Sequence, residues 1–442
     1  MSRRRRGIII GAGALAFVLL GTGAVFAGIS ASHNTASTSP LPASSAAGRT
    51  VPGDQVEPTA IPTCSISSLA SKSTLMSFSG SVVQASNGGS LYSNNDTDAA
   101  QPGGILKVLT AAAAISALTP SARITTKVVD DAQNPGTIVL VGGGDPTLSR
   151  STSGSIYAGA PTLASLASKT LKAYAIAHPG DPSITAVVLD ASLWDPTDNW
   201  NESVSPSLRT QGKLSETTAL QVDGDRANPK LEVSPRSDDP VTAAGTAFVQ
   251  ALGLNPASVT ITSGQPEDGA PTLASVQSQP ISVLVKQMLT LNDDTLAEQL
   301  ARLVSVKEKL GGGSSSLQQA ITTALGKYGL DTSDLTIVDG SGQSDESQVP
   351  AQFLSKFMAL VSMKNNGLQY VAAGIPATGN TYSKSGSLAT AYTVSGYLTA
   401  KDGTGEAFTF YAVGQGVTSA AKAVLNSLTA AVYKCGKNIT NN

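Results

Sequence analysis

The chain has 442 residues, 41% hydrophobic and 14% charged, so it is long enough to form more than one packed body. Its formal charge is −2 at pH 7. Four of its 29 basic residues lie together at positions 3–6, so the net charge of the rest of the chain is more negative than −2. Binding to nucleic acid needs clustered Lys and Arg on the folded body, so this composition excludes a nucleic-acid-binding protein.

The first 29 residues have the pattern of a targeting segment. Four arginines precede residues 7–29, which carry no charge and are long enough to span a hydrocarbon core of about 30 Å. Arginines before such a span keep that end in the cytoplasm, so the rest of the chain is predicted to be exported. Val25-Phe26-Ala27 also fits a cleavage site. The segment is therefore either a membrane anchor, which we favour, or a signal segment that is removed.

Residues 30–62 are rich in Ser, Thr, Ala and Pro and have almost no large apolar side chains. A segment of this composition buries too little surface to order itself, so we expect a flexible linker.

The chain has two cysteines, Cys64 and Cys435, one at each end of the region after the linker. In an exported protein such a pair forms a disulfide more often than a metal site, whereas in the cytosol the two would be free thiols. We predict the disulfide, which would place the start of the folded body beside its last helix.

Strand-like segments lie towards both ends of this region, and helical segments lie between them. Asn87-Gly88-Gly89 and Asp402-Gly403 each predict a hairpin turn. The patterns predict strands over about 78–84, 90–93, 137–141, 185–189, 259–262, 391–400 and 407–413. They predict helices over about 104–118, 162–177, 240–252, 281–290, 294–309, 315–328, 351–363 and 418–433. This order predicts an α+β fold whose antiparallel sheet is assembled from N- and C-terminal segments.

The chain has only two histidines, His33 in the linker and His178 at a predicted helix end. A Ser-His-Asp triad or a histidine zinc site would depend on His178 alone, and a histidine there is explained by the helix dipole. Hydrolysis without histidine needs another base, usually lysine. We predict no metal and no cofactor.

Five sequence runs occur together in an order that is typical of one enzyme family. They are Pro102 to Thr110, Gly142 to Leu148, Val338 to Gly342, Lys384 to Ser387, and Val394 to Leu398. In these runs the chain resembles the D-alanyl-D-alanine carboxypeptidase/endopeptidase family of low-molecular-mass penicillin-binding proteins, class C, which carries a large insertion.

The resemblance covers nearly everything from about residue 64 to 436. It implies a penicillin-binding-protein/serine β-lactamase-like antiparallel sheet flanked by helices, formed by residues 63–150 and 281–442. An inserted domain is expected at residues 151–280.

The family carries three motifs, Ser-x-x-Lys, Ser-x-Asn and Lys-Thr/Ser-Gly. The third is present as Lys384-Ser385-Gly386. In the first, Lys107 stands at the lysine, but Gly104 stands at the nucleophilic serine. In the second, Asn292-Asp293-Asp294 replaces Ser-Asp-Asn. Two of the three motifs are therefore altered.

The resemblance implies a role for each position. The lysine of the first motif takes the proton of the serine, and the serine of the second relays it. Lys384 and Ser385 would hold the terminal carboxylate of a substrate, and the N–H groups of residues 104 and 387 (Gly104 and Ser387) would bind the oxyanion. Asp294 lies where an amide normally meets the lysine, so we predict an ion pair between Lys107 and Asp294.

A glycine cannot form an acyl-enzyme, so we expect an impaired carboxypeptidase-like protein on the outer side of the cell membrane. It would bind peptidoglycan stem peptides or, without a covalent bond, a β-lactam, and a protein of the cell envelope is a further possible partner. Two alternatives stay open: an active D-Ala-D-Ala carboxypeptidase that uses non-standard catalysis, and an envelope scaffold whose cleft holds no ligand.

Overall fold

A computed structural model describes residues 63–180 and 183–441, which all belong to one compact unit, Ala60–Asn442. The predicted membrane anchor or signal segment (1–29) and the linker (30–62) lie outside the described residues. No helix within the described ranges is long and apolar enough to cross a membrane.

The described strands, in chain order, are β1 (Cys64–Ser65), β2 (Ser77–Gln84), β3 (Ser90–Asn94), β4 (Ala99–Ala100), β5 (Thr125–Asp130), β6 (Thr137–Val141), β7 (Ala186–Asp190), β8 (Thr260–Ser263), β9 (Thr272–Gln277), β10 (Val349–Pro350), β11 (Ala377–Thr378), β12 (Thr381–Ser387), β13 (Ala391–Thr399), β14 (Gly405–Val413) and β15 (Ile439–Thr440).

The described α-helices are α1 (Ser67–Ala70), α2 (Leu106–Leu118), α3 (Leu163–Ala177), α4 (Ser207–Thr210), α5 (Pro240–Ala251), α6 (Ile281–Leu291), α7 (Asp294–Lys307), α8 (Leu317–Gly326), α9 (Ala351–Met363), α10 (Leu368–Ala372) and α11 (Ser419–Cys435).

The main sheet is antiparallel and joins both ends of the chain. Strands β11, β12, β13 and β14 pair in that order, and the β2–β3 hairpin lies beside β14, where Ala85 N donates to Gly405 O at 2.8 Å. Side chains alternate along β14, so Phe408 and Phe410 face α11 while Ala407 and Tyr411 face the other helices. The predicted α+β fold, with a sheet built from N- and C-terminal segments, is confirmed.

Helix α2 is the centre of the larger core. Its side chains are buried along almost its whole length, because α6, α7, α8 and α10 surround it. A helix that is apolar on every side can be stable only when it is enclosed in this way. This enclosure fixes the start of α2, where the first motif lies, against the edge of the main sheet.

A second sheet has its own hydrophobic core. Its strand order is β8-β7-β6-β5-β9, with β6, β7 and β8 parallel, and α3 and α5 pack on it. The sequence patterns did not predict β5 or β9, which pair with each other across more than 140 residues of chain. Two of the five strands, β5 and β6, precede residue 151, so this sheet begins earlier than the predicted insertion.

The two ends of the described chain meet. Cys64 and Cys435 form a disulfide with their Cα atoms 5.5 Å apart, and β1 pairs with β15 next to it. The predicted disulfide is confirmed, and the start of the body lies beside its last helix, as expected.

Candidate functional site

A cleft of about 480 Å³ lies where the start of α2, the junction of α6 and α7, and the edge of β12 come together. Seven of its lining residues belong to the three motifs, and Ser387 follows the third: Gly104, Asn292, Asp293, Asp294, Lys384, Ser385 and Gly386. The buried ammonium of Lys107 lies behind this lining, against Asp294. The structure therefore brings all three motifs together, although they are almost 300 residues apart in the sequence.

The turn that opens α2 is held against β12 by close backbone packing. Residues Gly103–Ile105 form a 3-10 turn, and Thr393 on β13 donates its hydroxyl to Pro102 O at 2.7 Å. A Cβ on Gly386 would lie 2.6 Å from Gly104 N, which no side chain could occupy without displacing the turn. Gly386 is therefore the residue that lets β12 approach the first motif.

Gly104 lines the cleft, and there is room beside it for a Cβ. A Cβ placed on Gly104 would lie 3.4 Å from Lys107 Nζ, 3.4 Å from Asn292 Oδ1 and 3.6 Å from Ser385 O. These are ordinary van der Waals distances, so a Cβ would fit at this position without moving its neighbours. Gly104 itself presents no side chain to the cleft.

Lys107 is fully buried at the end of the cleft. Its ammonium lies 2.5 Å from Asp294 Oδ1 and donates to Ser341 O at 2.8 Å, while Gln343 donates its amide to Asp294 Oδ2 at 2.9 Å. The predicted ion pair between Lys107 and Asp294 is thus present. Burial raises the pKa of Asp294 above its usual range, and the positive charge of Lys107 opposes that rise.

Asn292 ends α6 in the left-handed conformation, with φ of 52° and ψ of 42°, which asparagine tolerates better than most residues. In this position its Oδ1 accepts a hydrogen bond from Lys384 Nζ at 2.5 Å. Asn292 therefore links the second motif directly to the third.

Lys384 is 5% exposed and projects from β12 towards the other two motifs. Burial, followed by repulsion from the ammonium of Lys107, lowers the pKa of Lys384 to about 7, although Asp294 and Glu232 act in the opposite direction. Lys384 is the cleft cation whose charge changes near neutral pH.

One edge of β12 pairs with β11 only at Thr381 and Tyr382 and is free beyond them, where it faces the turn that opens α2. β12 pairs with β13 on one side, and Ser383 N donates to Pro376 O on the other at 3.0 Å. Since backbone groups alternate between the two edges of a strand, the N–H of Ser387 points to the same free edge. It lies next to Gly103, and the side chains of Ser385 and Ser387 are exposed.

Glu298 is a buried residue. Its role could not be predicted from the sequence, because its position near the start of a helix also fits a helix-capping residue. Its carboxylate accepts hydrogen bonds from Gly340 N at 3.0 Å and Ser341 N at 2.8 Å. That loop supplies the carbonyl that binds Lys107. Burial, followed by the charge of Asp339, raises the pKa of Glu298 to about 7. The sequence feature that could have indicated this contact is a pair of runs, Leu296-Ala297-Glu298 and Val338 to Gly342. The two runs come into contact only in the folded protein.

Asp293 joins the second motif to the region predicted as an insertion. Its Oδ1 caps α7 at Leu296 N, and its Oδ2 accepts from Tyr157 Oη at 2.7 Å and from the Arg226 guanidinium at 2.9 Å. Burial acts to raise the pKa of Asp293, but Arg226 and the other donors outweigh it, so this pKa lies below its usual range. No sequence pattern indicated the contacts of Tyr157 and Arg226.

His178 lies outside the cleft, at the end of α3, where its Nε2 is 2.9 Å from Asp130 Oδ2. This position agrees with a structural role for His178 at the end of a helix, and not with a role in a Ser-His-Asp triad. Among residues 63–180 and 183–441, no group of three potential ligands could hold a metal ion.

The sequence profile of the D-Ala-D-Ala carboxypeptidase 3 (S13) family matches residues 63–207 and 201–432. Two curated proteins are similar. Carboxypeptidase Rv3627c of Mycobacterium tuberculosis is 34% identical over 67% of this chain, and the chain spans 63% of that protein's length. Carboxypeptidase DacB of Mycolicibacterium smegmatis is 30% identical over 81% of this chain and 80% of that protein.

Among solved structures, penicillin-binding protein 4 (dacB) of Haemophilus influenzae matches 81% of this chain and 96% of its own, with a TM-score of 0.66 and 18% identity. This structural similarity agrees with the predicted fold, an antiparallel sheet flanked by helices. The chain belongs to the D-Ala-D-Ala carboxypeptidase 3 (S13) family, as its resemblance predicted.

Proposed function

We propose that this family member binds D-Ala-D-Ala-ended stem peptides of peptidoglycan outside the cytoplasmic membrane and does not cleave them through a serine acyl-enzyme. The observation that carries the proposal is Gly104, which lines the cleft at the family's nucleophile position and has no side chain there. A carbonyl carbon held there would meet no hydroxyl, so the covalent step lacks its attacking group.

In this proposal the ligand is bound by the motif residues that the chain retains. Lys384 and Ser385 would hold the terminal carboxylate, and the free N–H of Ser387 would bind the neighbouring carbonyl oxygen. Asn292 fixes the ammonium of Lys384 in place, which lowers the entropy cost of binding an anion. Affinity for the end of a stem peptide can therefore persist without catalysis.

The ion pair between Lys107 and Asp294 supports the same conclusion. A lysine can accept a proton only in its neutral form. Lys107 Nζ is instead in contact with the Asp294 carboxylate at 2.5 Å and with Ser341 O at 2.8 Å, and these contacts do not suit a general base. The altered second motif thus agrees with the loss of the serine.

Two features support a location outside the membrane. The arginines and apolar residues of positions 3–29 match a targeting segment. The Cys64–Cys435 disulfide is typical of oxidising compartments. Whether the segment stays as an anchor or is cleaved, the cleft would face the peptidoglycan.

A β-lactam would occupy the same cleft without forming a covalent bond. The Haemophilus influenzae protein has been solved in complex with a β-lactam, and its fold matches this chain with a TM-score of 0.60. We expect the carboxylate of such a ligand to reach Lys384 and Ser385, with no bond to residue 104.

The test is to treat the full-length protein with a fluorescent penicillin, denature it and measure retained label. In parallel, calorimetry measures binding of an acyl-D-Ala-D-Ala peptide, and chromatography measures release of D-Ala. We expect peptide binding, no retained label and no D-Ala. The variant Ser385→Ala, which removes one carboxylate-binding hydroxyl, should weaken binding, whereas Ser427→Ala on the far side of α11 should not.

Each other outcome rejects the proposal in a distinct way. Retained label or steady release of D-Ala would identify a working carboxypeptidase, which is the activity named for the two mycobacterial relatives. Failure to bind both the peptide and the penicillin would favour an envelope scaffold without a ligand in the cleft.

A further inference from the structure

A second hollow, of about 670 Å³, lies beside the cleft. Val394 and Asn426 line both spaces, so the two are adjacent. Volumes of about 300–1,000 Å³ are common for sites that bind small molecules. The hollow is large enough to hold a ligand of its own, and nothing in the three motifs accounts for it.

The hollow is a trough between α11 and the edge of the main sheet. One wall is a stripe of α11, since Asn426, Thr429 and Tyr433 follow each other at helical spacing on one face. These 7 residue steps correspond to about 10 Å along the helix. The opposite wall is Ser383 with the turn between β11 and β12. The trough therefore leads away from the carboxylate-binding end of the cleft.

The chemistry of the trough differs from that of the cleft. Its lining carries hydroxyl and amide side chains and no charge: Thr378, Asn380, Thr381, Ser383, Asn426 and Thr429. The cleft, by contrast, is lined by Lys384, Asp294 and other charged residues. A trough without charges offers nothing to pair with an ionic ligand, and its polar lining does not favour an apolar one.

The polar side chains of the trough reach solvent, although the hydroxyl of Thr429 donates to Leu425 O at 3.1 Å. Asn380 and Asn426 are exposed, and their side-chain amides can each donate and accept hydrogen bonds. At the far end, Tyr433 is 36% exposed and adds an aromatic surface with a hydroxyl at its tip. Neutral amides and hydroxyls beside an aromatic ring fit the alternating polar and C–H faces of a sugar.

We propose that this trough binds an uncharged saccharide of N-acetylated sugars while the cleft binds a peptide. The inference rests on the proposed function, because peptidoglycan joins peptide and glycan in one polymer, and it adds glycan as a second substrate class. The trough begins where the terminal carboxylate is held. The saccharide therefore occupies space that the bound stem peptide leaves empty, and the two ligands bind together.

The experiment uses the full-length protein and chitotetraose, a soluble tetramer of N-acetylglucosamine that carries no peptide. Saturation-transfer NMR and calorimetry should show saturable binding. Asn426→Ala and Tyr433→Ala should each weaken it by about tenfold or more. Tyr370→Ala is the matched control, because Tyr370 is a 37% exposed tyrosine on α10, outside the trough. Thermal unfolding of each variant shows whether it is folded.

The proposal is overturned if the wild type shows no saturable binding at millimolar chitotetraose, or if Tyr370→Ala weakens binding as much as Tyr433→Ala. Competition between chitotetraose and an acyl-D-Ala-D-Ala peptide would also overturn it, since it would make the trough part of one peptide site.

A Lys384→Ala variant separates this inference from the proposed function. It should lose peptide affinity and keep saccharide affinity. If the wild type binds chitotetraose but no stem peptide, the proposed function fails and the saccharide site stands. If it binds the peptide alone, the saccharide site fails and the proposed function stands.

Discussion

The ammonium of Lys107 lies 2.5 Å from the carboxylate of Asp294 in a fully buried position. Both residues belong to motifs that are altered in this chain, and the two alterations are physically linked. The Asp294 carboxylate is paired with the amine of Lys107, as we expect if, as proposed, this cleft does not use Lys107 as a base. The glycine at residue 104 and the carboxylate at residue 294 therefore both support the proposed absence of serine catalysis.

Restoring the serine alone should recover little activity. In Gly104→Ser the new Cβ would lie 3.4 Å from Lys107 Nζ, an ordinary contact distance, but Lys107 would still be paired with Asp294. Adding Asp294→Asn removes a charge-assisted contact of about 1.5–3 kcal/mol. The double variant should therefore become labelled by fluorescent penicillin about 10- to 100-fold faster than the single one. The measurement is the rate of covalent labelling.

The control for this series is Asp294→Asn by itself, which should stay unlabelled because residue 104 is still a glycine. Equal labelling rates for Gly104→Ser with and without Asp294→Asn would show that the ion pair does not restrain Lys107. Full activity of the single variant would show that Asn292 and Asp294 are compatible with catalysis.

Binding of a carboxylate ligand should weaken as pH rises through about 7. The pKa of Lys384 is lowered to about 7 by burial and by Lys107, so the ammonium form dominates at pH 6 and is a minority at pH 8. Only that form pairs with a carboxylate, and the apparent Kd of an acyl-D-Ala-D-Ala peptide should rise by up to about tenfold over this range. Calorimetry at pH 6, 7 and 8 measures it.

Lys384→Arg provides the comparison, because a guanidinium stays charged throughout this range. Its Kd should change little between pH 6 and 8. A variant with the same pH slope as the wild type would assign the titration to another group in the cleft.

Local sequence patterns predicted the parts of the site that depend on short-range chemistry. Residue 104 has no hydroxyl and residue 294 carries a charge, while the family-like residues that flank both positions are retained. Together with the family resemblance these facts were enough to predict the contact of Lys107 with Asp294. The disulfide followed from the number of cysteines and the expected compartment.

The rest of the site depends on contacts between distant segments. Tyr157 and Arg226 reach Asp293 from 136 and 67 residues away, and no periodicity in their own segments indicates where they will lie. The same is true of β5 and β9, whose pairing joins residues near 125 and 277. Such pairings are decided by the packing of the whole body, which a local pattern of apolar residues does not encode.

Removing the disulfide should destabilise the folded body. The Cys64–Cys435 bond closes a loop with a sequence separation of 371 residues, and it restricts the unfolded chain strongly. Replacing both cysteines by serine should lower the free energy of unfolding by about 2–5 kcal/mol. Urea denaturation of the oxidised wild type and the double variant measures the difference. Wild type treated with dithiothreitol should match the variant, and identical midpoints with and without the bond would contradict the prediction.

Glu406 should make the protein less stable as pH rises. Its side chain is 0% exposed on β14, and neither carboxyl oxygen has a hydrogen-bond partner within the described ranges. Burial, followed by the charge of Asp402, raises the pKa of Glu406 to about 8. Because this pKa is higher in the folded state than in the unfolded one, the stabilising effect of the proton is complete below about pH 4.5. It is lost as pH rises to about 8.

A Glu406→Gln variant keeps the shape of the side chain and cannot ionise. An unpaired buried polar group costs about 1–3 kcal/mol, and more when it is charged. The variant should therefore unfold at a higher temperature than the wild type at pH 8 and at a similar temperature at pH 5. Calorimetric scans at both pH values measure this, with Glu267→Gln as the control because Glu267 is exposed on a loop. If Glu406→Gln lowers the unfolding temperature at pH 8, the carboxylate has a stabilising partner, and the pH dependence of this fold has another origin.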